Sequence, residues 1–161
     1  MKLEIEPGLV FAIRLLNGAY GFGQLLVRQE PIFYMAGYDA QSQTPTLGHD
    51  TIWKAKPVLL GNFFDVLIRN GRWAPVGHST PPVVPYPCFK IRIGDKFYVE
   101  TWDRNRKREA TEDELAQLQP RSNYGPIFLE NALNAYFGLR PWETAFEPLR
   151  TETVLAVSKL C

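Results

Sequence analysis

The sequence predicts an α+β fold: a strongly curved, mainly antiparallel β-sheet or partial barrel, with two or three short helices from the C-terminal third. Three observations carry this reading. The turn pairs Asn17-Gly18, Asn70-Gly71 and Gly94-Asp95 each separate runs of β-branched and aromatic residues, the mark of tight hairpins. Helical spacing of apolar residues first appears beyond residue 110. The aromatic content of 13%, with 13 prolines and 12 glycines, suits strands and turns better than a helical bundle. A length of 161 residues fits one domain over 1–161 with its own apolar core. Its β-rich part covers 1–101 and its helical part 111–147.

The first hairpin runs from Pro7 to Arg28 around Asn17-Gly18, a pair suited to a type I′ turn because both central residues need positive φ. Gly21 and Gly23 flank Phe22; paired glycines in a strand predict a bend or close backbone packing, which would set Tyr20 and Phe22 on opposite faces. Glu30-Pro31 breaks the run, and Ile32 to Ala36 reads as a third strand. Gln, Ser, Thr, Pro and Gly dominate residues 37–49, predicting a long exposed loop of the kind that often carries function. Residues 52–58 read as a short edge strand, because Pro57 cannot donate to a central ladder.

Phe63 to Arg69, Asn70-Gly71 and Arg72 to Gly77 repeat the hairpin signature. Four prolines within 79–87 predict an extended connection. In the third hairpin, Phe89-Lys90-Ile91-Arg92-Ile93 alternates with period two. This predicts Lys90 and Arg92 in water, with Phe89, Ile91 and Ile93 inward. Thr111 with Glu114 forms a Thr-x-x-Glu capping box opening a helix over 111–118. A second helix starts at Pro126 and ends before Gly138, residues suited to its first turn and its C′ position. Pro141 to Thr144 allows one further turn. For 150–158, Thr153, Val154 and Val157 favour a closing strand over a helix.

Lys and Arg number 18 against 17 Asp and Glu, so no net field draws the chain to a polyanion. Cys88 and Cys161 are the only cysteines; so sparse a pattern reads as reduced thiols of a cytoplasmic protein. Charges at Lys2, Glu4 and Glu6 interrupt any secretion-signal core, and no run reaches ~18 apolar residues. Neither export nor a membrane span is expected.

No constellation for catalysis emerges, and no catalytic, cofactor-binding or metal-binding residue is assigned. His49 and His78 are the only imidazoles, and neither has a ligand at local metal-site spacing; His49 beside Asp50 reads as a loop histidine before it reads as a base. Gly18 to Gly23 lacks the Lys-Ser/Thr pair and following helix of a phosphate loop. Arg104 to Arg108 supplies four cations in five residues, yet residues 101–121 carry five acids and five bases. A solvated charged turn is favoured there over a phosphate site.

Gly8, Phe11, Ile13, Gly18, Tyr20, Gly21, Phe22 and Gly23 resemble the opening of the immunity protein 26 family of bacterial polymorphic-toxin systems. That family starts with a Gly-Asp-x-Phe-x-Ile-like strand, a Gly turn and a Tyr-Gly-aromatic-Gly arm; here Leu9 replaces the aspartate. Trp73 to Gly77, the proline-rich turn after it, and Pro87 to Phe89 are similar to later landmarks, so the resemblance covers about the first 100 residues. It implies a cytoplasmic, non-catalytic protein that needs no cofactor and binds and neutralises a cognate protein toxin. It carries over no contact residue.

With formal charge +1, wholesale charge mimicry of nucleic acid is disfavoured. Tyr38 and Trp53, on the long loop and its flank, are the expected partner-binding anchors, with Asp39 and Asp50 orienting the partner, because interface hot spots favour aromatic residues. Trp53 as an ordinary core residue is the competing reading. The alternative function is a small nucleic-acid-binding β-domain that uses Arg104 to Arg108.

Overall fold

A computed structural model describes residues 4–46 and 54–161. In chain order the elements are β1 (Leu9–Arg14), β2 (Tyr20–Gln29), β3 (Ile32–Ser42), β4 (Pro57–Phe63), α1 (Val66–Arg69), β5 (Ala74–His78), β6 (Cys88–Ile93), β7 (Lys96–Thr101), β8 (Lys107–Glu109), α2 (Glu112–Gln117), α3 (Pro126–Tyr136), a 3-10 helix (Thr144–Leu149) and α4 (Thr151–Ser158). The α+β class stands, with every strand pairing antiparallel and partly curved sheets that do not close into a barrel. The chain divides into two compact units, Met1–Pro82 with Asn123–Phe146, and Val83–Ser122 with Glu147–Cys161.

The first unit holds a five-stranded sheet in the order β4-β3-β2-β1-β5. The β1–β2 loop differs from the expected type I′ turn. Gly18 N–H donates to the Leu15 carbonyl at 3.0 Å and Leu15 N–H to the Ala19 carbonyl at 2.8 Å. Gly18 has φ +84°, whereas Asn17 does not have positive φ. This is a type I turn closed by a left-handed glycine, and the Asn17 carboxamide oxygen stabilises it by accepting from Ala19 N–H at 3.0 Å. Neither Gly21 nor Gly23 takes positive φ. The sheet bends here because Gly21 pairs with Gln41 while Gly23 pairs with Gly37, so the extra residues of the bulge lie on β3.

The exposed loop expected over 37–49 starts later, because β3 continues to Ser42 and its far end pairs with both β2 and β4. The strand expected over 52–58 begins at Pro57, its earlier residues to 53 lying outside the described ones. The second Asn-Gly pair makes no hairpin. The Asp65 carbonyl accepts from Ile68 and Arg69 N–H, Arg69 reaches the Asp65 carboxylate at 2.8 Å, and α1 forms with Leu67 and Ile68 buried. Asn70 then caps the helix and Gly71, at φ +83°, follows it, a glycine stop that resembles a hairpin turn in sequence. The helix α3 follows its expected bounds, with Pro126 in the first turn. Leu129 and Leu133 are buried, and Glu130 accepts from Trp73 Nε1 at 3.1 Å and Arg72 Nη2 at 2.8 Å. Trp73 is fully buried and stacks on Phe11 at 4.9 Å.

The second unit holds the sheet β6-β7-β8. Cys88, Val99 and Leu118 are buried together, with Val157 and Leu160 against them. The expectation for β6 holds only in part, with Arg92 exposed as expected. Lys90 sits opposite Val99, is half-buried, and donates from Nζ to the Leu115 carbonyl at 3.2 Å, whereas Ile93 is 47% exposed. Phe89 is buried as expected, with the Arg121 guanidinium 4.4 Å from its ring centroid. Arg121 also pairs with Glu100 at 2.8 Å. The capping box opens α2 as read from the sequence.

Two expectations fail in the tail. Residues 151–158 form α4 instead of a closing strand; packing of Val154 and Val157 outweighs the weak strand preference of β-branched residues. The cysteines, expected as separate thiols, form a Cys88–Cys161 disulfide with Cα atoms 5.8 Å apart. The helix α4 brings the last residue back to β6, a contact that local sequence does not show.

Candidate partner-binding site

The four residues singled out for partner contact divide in the structure. Tyr38 is 3% exposed, so the exposed-anchor reading of this side chain is corrected. Its hydroxyl donates to Gln24 Oε1 at 2.6 Å. Gln24, itself buried, donates onward to the Gly8 carbonyl at 3.2 Å and the Ser79 carbonyl at 2.8 Å. Burial pushes the Tyr38 phenol pKa well above its usual value, so the phenol stays protonated and can donate. Tyr38 lies within the bulge of β3 and ends an unbroken buried run from Ile32, in a stretch that loop-like composition concealed. Asp39 is exposed and its N–H donates to the Lys56 carbonyl at 2.9 Å. Asp50, Trp53 and His49 lie outside the described residues. His78 sits in β5, with Nε2 3.8 Å from the Glu6 carboxylate.

The cluster Arg104 to Arg108 is not uniform. Arg108 forks onto both carboxylate oxygens of Glu114, with Nη1 at 2.9 Å from Oε1, and also donates to the Leu160 carbonyl at 2.6 Å. Glu114 in addition accepts from Thr111 N–H at 3.0 Å. The Arg108 fork, then the Thr111 backbone bond, lower the Glu114 carboxyl to about 2. Arg108 therefore fastens β8 to α2 and the chain end. Asp103 organises the preceding turn, accepting from Asn105 N–H at 3.0 Å and from the Thr101 hydroxyl at 2.7 Å. The Asn105 backbone bond is the leading cause that holds its carboxyl below the usual range.

Arg104, Arg106 and Lys107 are exposed, and among the described residues they form no ion pair. Arg106 and Lys107 line an open groove of about 820 Å³ together with Val99, Thr101 and Cys161. The sequence signal was the run of cations. What it could not reveal is which cation is spent internally, since Glu114 and Leu160 reach Arg108 only through the fold. Among the described residues, no group of three or more His, Cys, Asp or Glu side chains could hold a metal.

No curated protein and no solved structure gives a significant match to this chain. A family model described as immunity protein 26 matches residues 6–108, from just before β1 into β8. The match includes both the Gly-rich β2 arm and Trp73, which the structure places in one core against Phe11. With well over half its length matched, the chain belongs to the immunity protein 26 family.

Proposed function

We propose that this chain binds and neutralises a cognate bacterial polymorphic toxin by protein–protein contact, without catalysis and without a cofactor. The observation that carries the reading is the family match over residues 6–108, which spans the sheet scaffold. Asp39, Asp50 and Trp53 are proposed contacts, with Tyr38 supporting the Asp39 segment from the core through Gln24. Contact takes place in the cytoplasm of the protected cell. No described helix is long and apolar enough to cross a membrane. Thiol labelling in fresh lysate tests whether Cys88 and Cys161 are bonded in that compartment, where disulfides are rare.

The deciding experiment is co-expression with each candidate toxin encoded among the genes beside this one. Restored growth and co-purification are expected; a toxin that kills equally with and without the chain overturns the reading. For nucleic-acid binding, the internal use of Arg108 leaves fewer cations for phosphates than the run suggests. A salt-sensitive gel shift by the full chain is the observation that would reinstate it.

A further inference from the structure

We infer that β8 and the groove beside it form a strand-pairing site for an extended, acidic segment of a protein partner, with the Lys107 main chain as the pairing edge and Arg106 and Lys107 as carboxylate contacts. It rests on the toxin-binding reading for the partner's identity and adds a second contact to that partner.

Three observations converge on this site. The first is topological: β8 ends the sheet β6-β7-β8. Thr101 N–H donates to Arg106 O and Ala110 N–H to Phe97 O, both at 3.0 Å. Antiparallel alternation then turns the N–H and C=O of Lys107 away from β7. An outward edge of this kind is a template for an added strand. The second is charge. Nearby carboxylates are engaged: Glu114 by Arg108, Glu109 by Lys96 at 3.8 Å, Glu100 by Arg121 at 2.8 Å, and Asp103 by its own turn. Arg106 and Lys107 form no ion pair among the described residues, so the edge presents uncompensated positive charge in a chain of formal charge +1. The third is shape: an open groove of about 820 Å³ is lined by Arg106 and Lys107 together with Val99, Thr101 and Cys161, leaving space beside these cations for side chains of an incoming strand.

An acidic peptide fits this combination better than nucleic acid. A phosphate backbone uses cations and has no strand amides to pair with an outward-facing main chain, whereas an extended acidic peptide uses both features.

The test uses the full chain and three probes: a short capped peptide of alternating glutamate and threonine, the matching lysine–threonine peptide, and a short oligothymidylate. The glutamate peptide is expected to slow hydrogen exchange at the Lys107 amide and shift Thr101 and Arg106 resonances. The variant Arg106→Glu/Lys107→Glu should weaken it about tenfold or more with an unchanged melting temperature, since like charges at a contact repel. Should that variant misfold, Arg106→Gln/Lys107→Gln carries the same comparison. No protection at Lys107, equal binding of the lysine peptide, or tighter binding of oligothymidylate overturns the inference. In a parallel arm, the adjacent toxin should lose affinity for the charge-reversed chain. If wild type binds the toxin and the variant binds it equally, the groove is excluded. If wild type binds no toxin, the neutralisation reading fails, and the peptide arm still judges the groove.

Discussion

Gly23 lies directly across from Phe11 in the β1–β2 ladder, so closely that a β-carbon on Gly23 would stand 2.5 Å from two carbons of the Phe11 ring and 3.0 Å from the Ala36 carbonyl oxygen. Phe11 cannot yield easily, because its other neighbour is the parallel ring of the fully buried Trp73. The glycine-rich arm thus serves close packing, and positive φ has no part in it at Gly23.

The variant Gly23→Ala should therefore lose about 1–3 kcal/mol to overpacking. Gly77→Ala, where an added β-carbon meets nothing within 4 Å, should fall within about 1 kcal/mol of wild type. Urea denaturation of both variants checks the contrast, and equal midpoints would refute the packing account.

Tyr38→Phe should cost about 1–3 kcal/mol, because it strands the buried Gln24 oxygen without its donor. Toxin affinity of the folded variant should match wild type. A loss of affinity without a loss of stability would return Tyr38 to the contact surface.

Acid stability should respond to Glu114. Its folded carboxyl sits at about 2, against an ordinary value of 4.5, so the unfolded chain binds the proton more readily. The contribution is complete above about pH 4.5 and is lost as pH falls towards 2. Glu114→Gln should lower stability at neutral pH and flatten the dependence in that window, as measured by urea midpoints at stepped pH. An unaltered acid profile would show that the fork to Arg108 does not persist in solution.

Cys161→Ser should lower stability by roughly 2–4 kcal/mol, the usual contribution of a bridge closing a long loop; here the cysteines are 73 positions apart. Reductant should lower the wild-type melting temperature and leave the variant's unchanged. Identical responses in both proteins would exclude the bond.

The α+β class, two of the three hairpins, both central helices with their caps, and the family were legible in the residues alone. These rest on local chemistry: the Thr111–Glu114 box, Pro126, and the glycine after Asn17 act within a few residues of where they stand. Tertiary structure alone decided the rest. Asn70-Gly71 became a helix stop because Asp65 nucleated a turn, Tyr38 went inside because β3 runs on to Ser42 between two partners, and the tail became a helix that carries Cys161 to Cys88. Likewise Arg108 was committed to Glu114 while Arg106 and Lys107 stayed open. For Tyr38, the tail helix and the hold of Arg108 on Leu160 the outcome depends on contacts between residues distant in sequence, and local propensities of a fraction of a kcal/mol are too small to resist them.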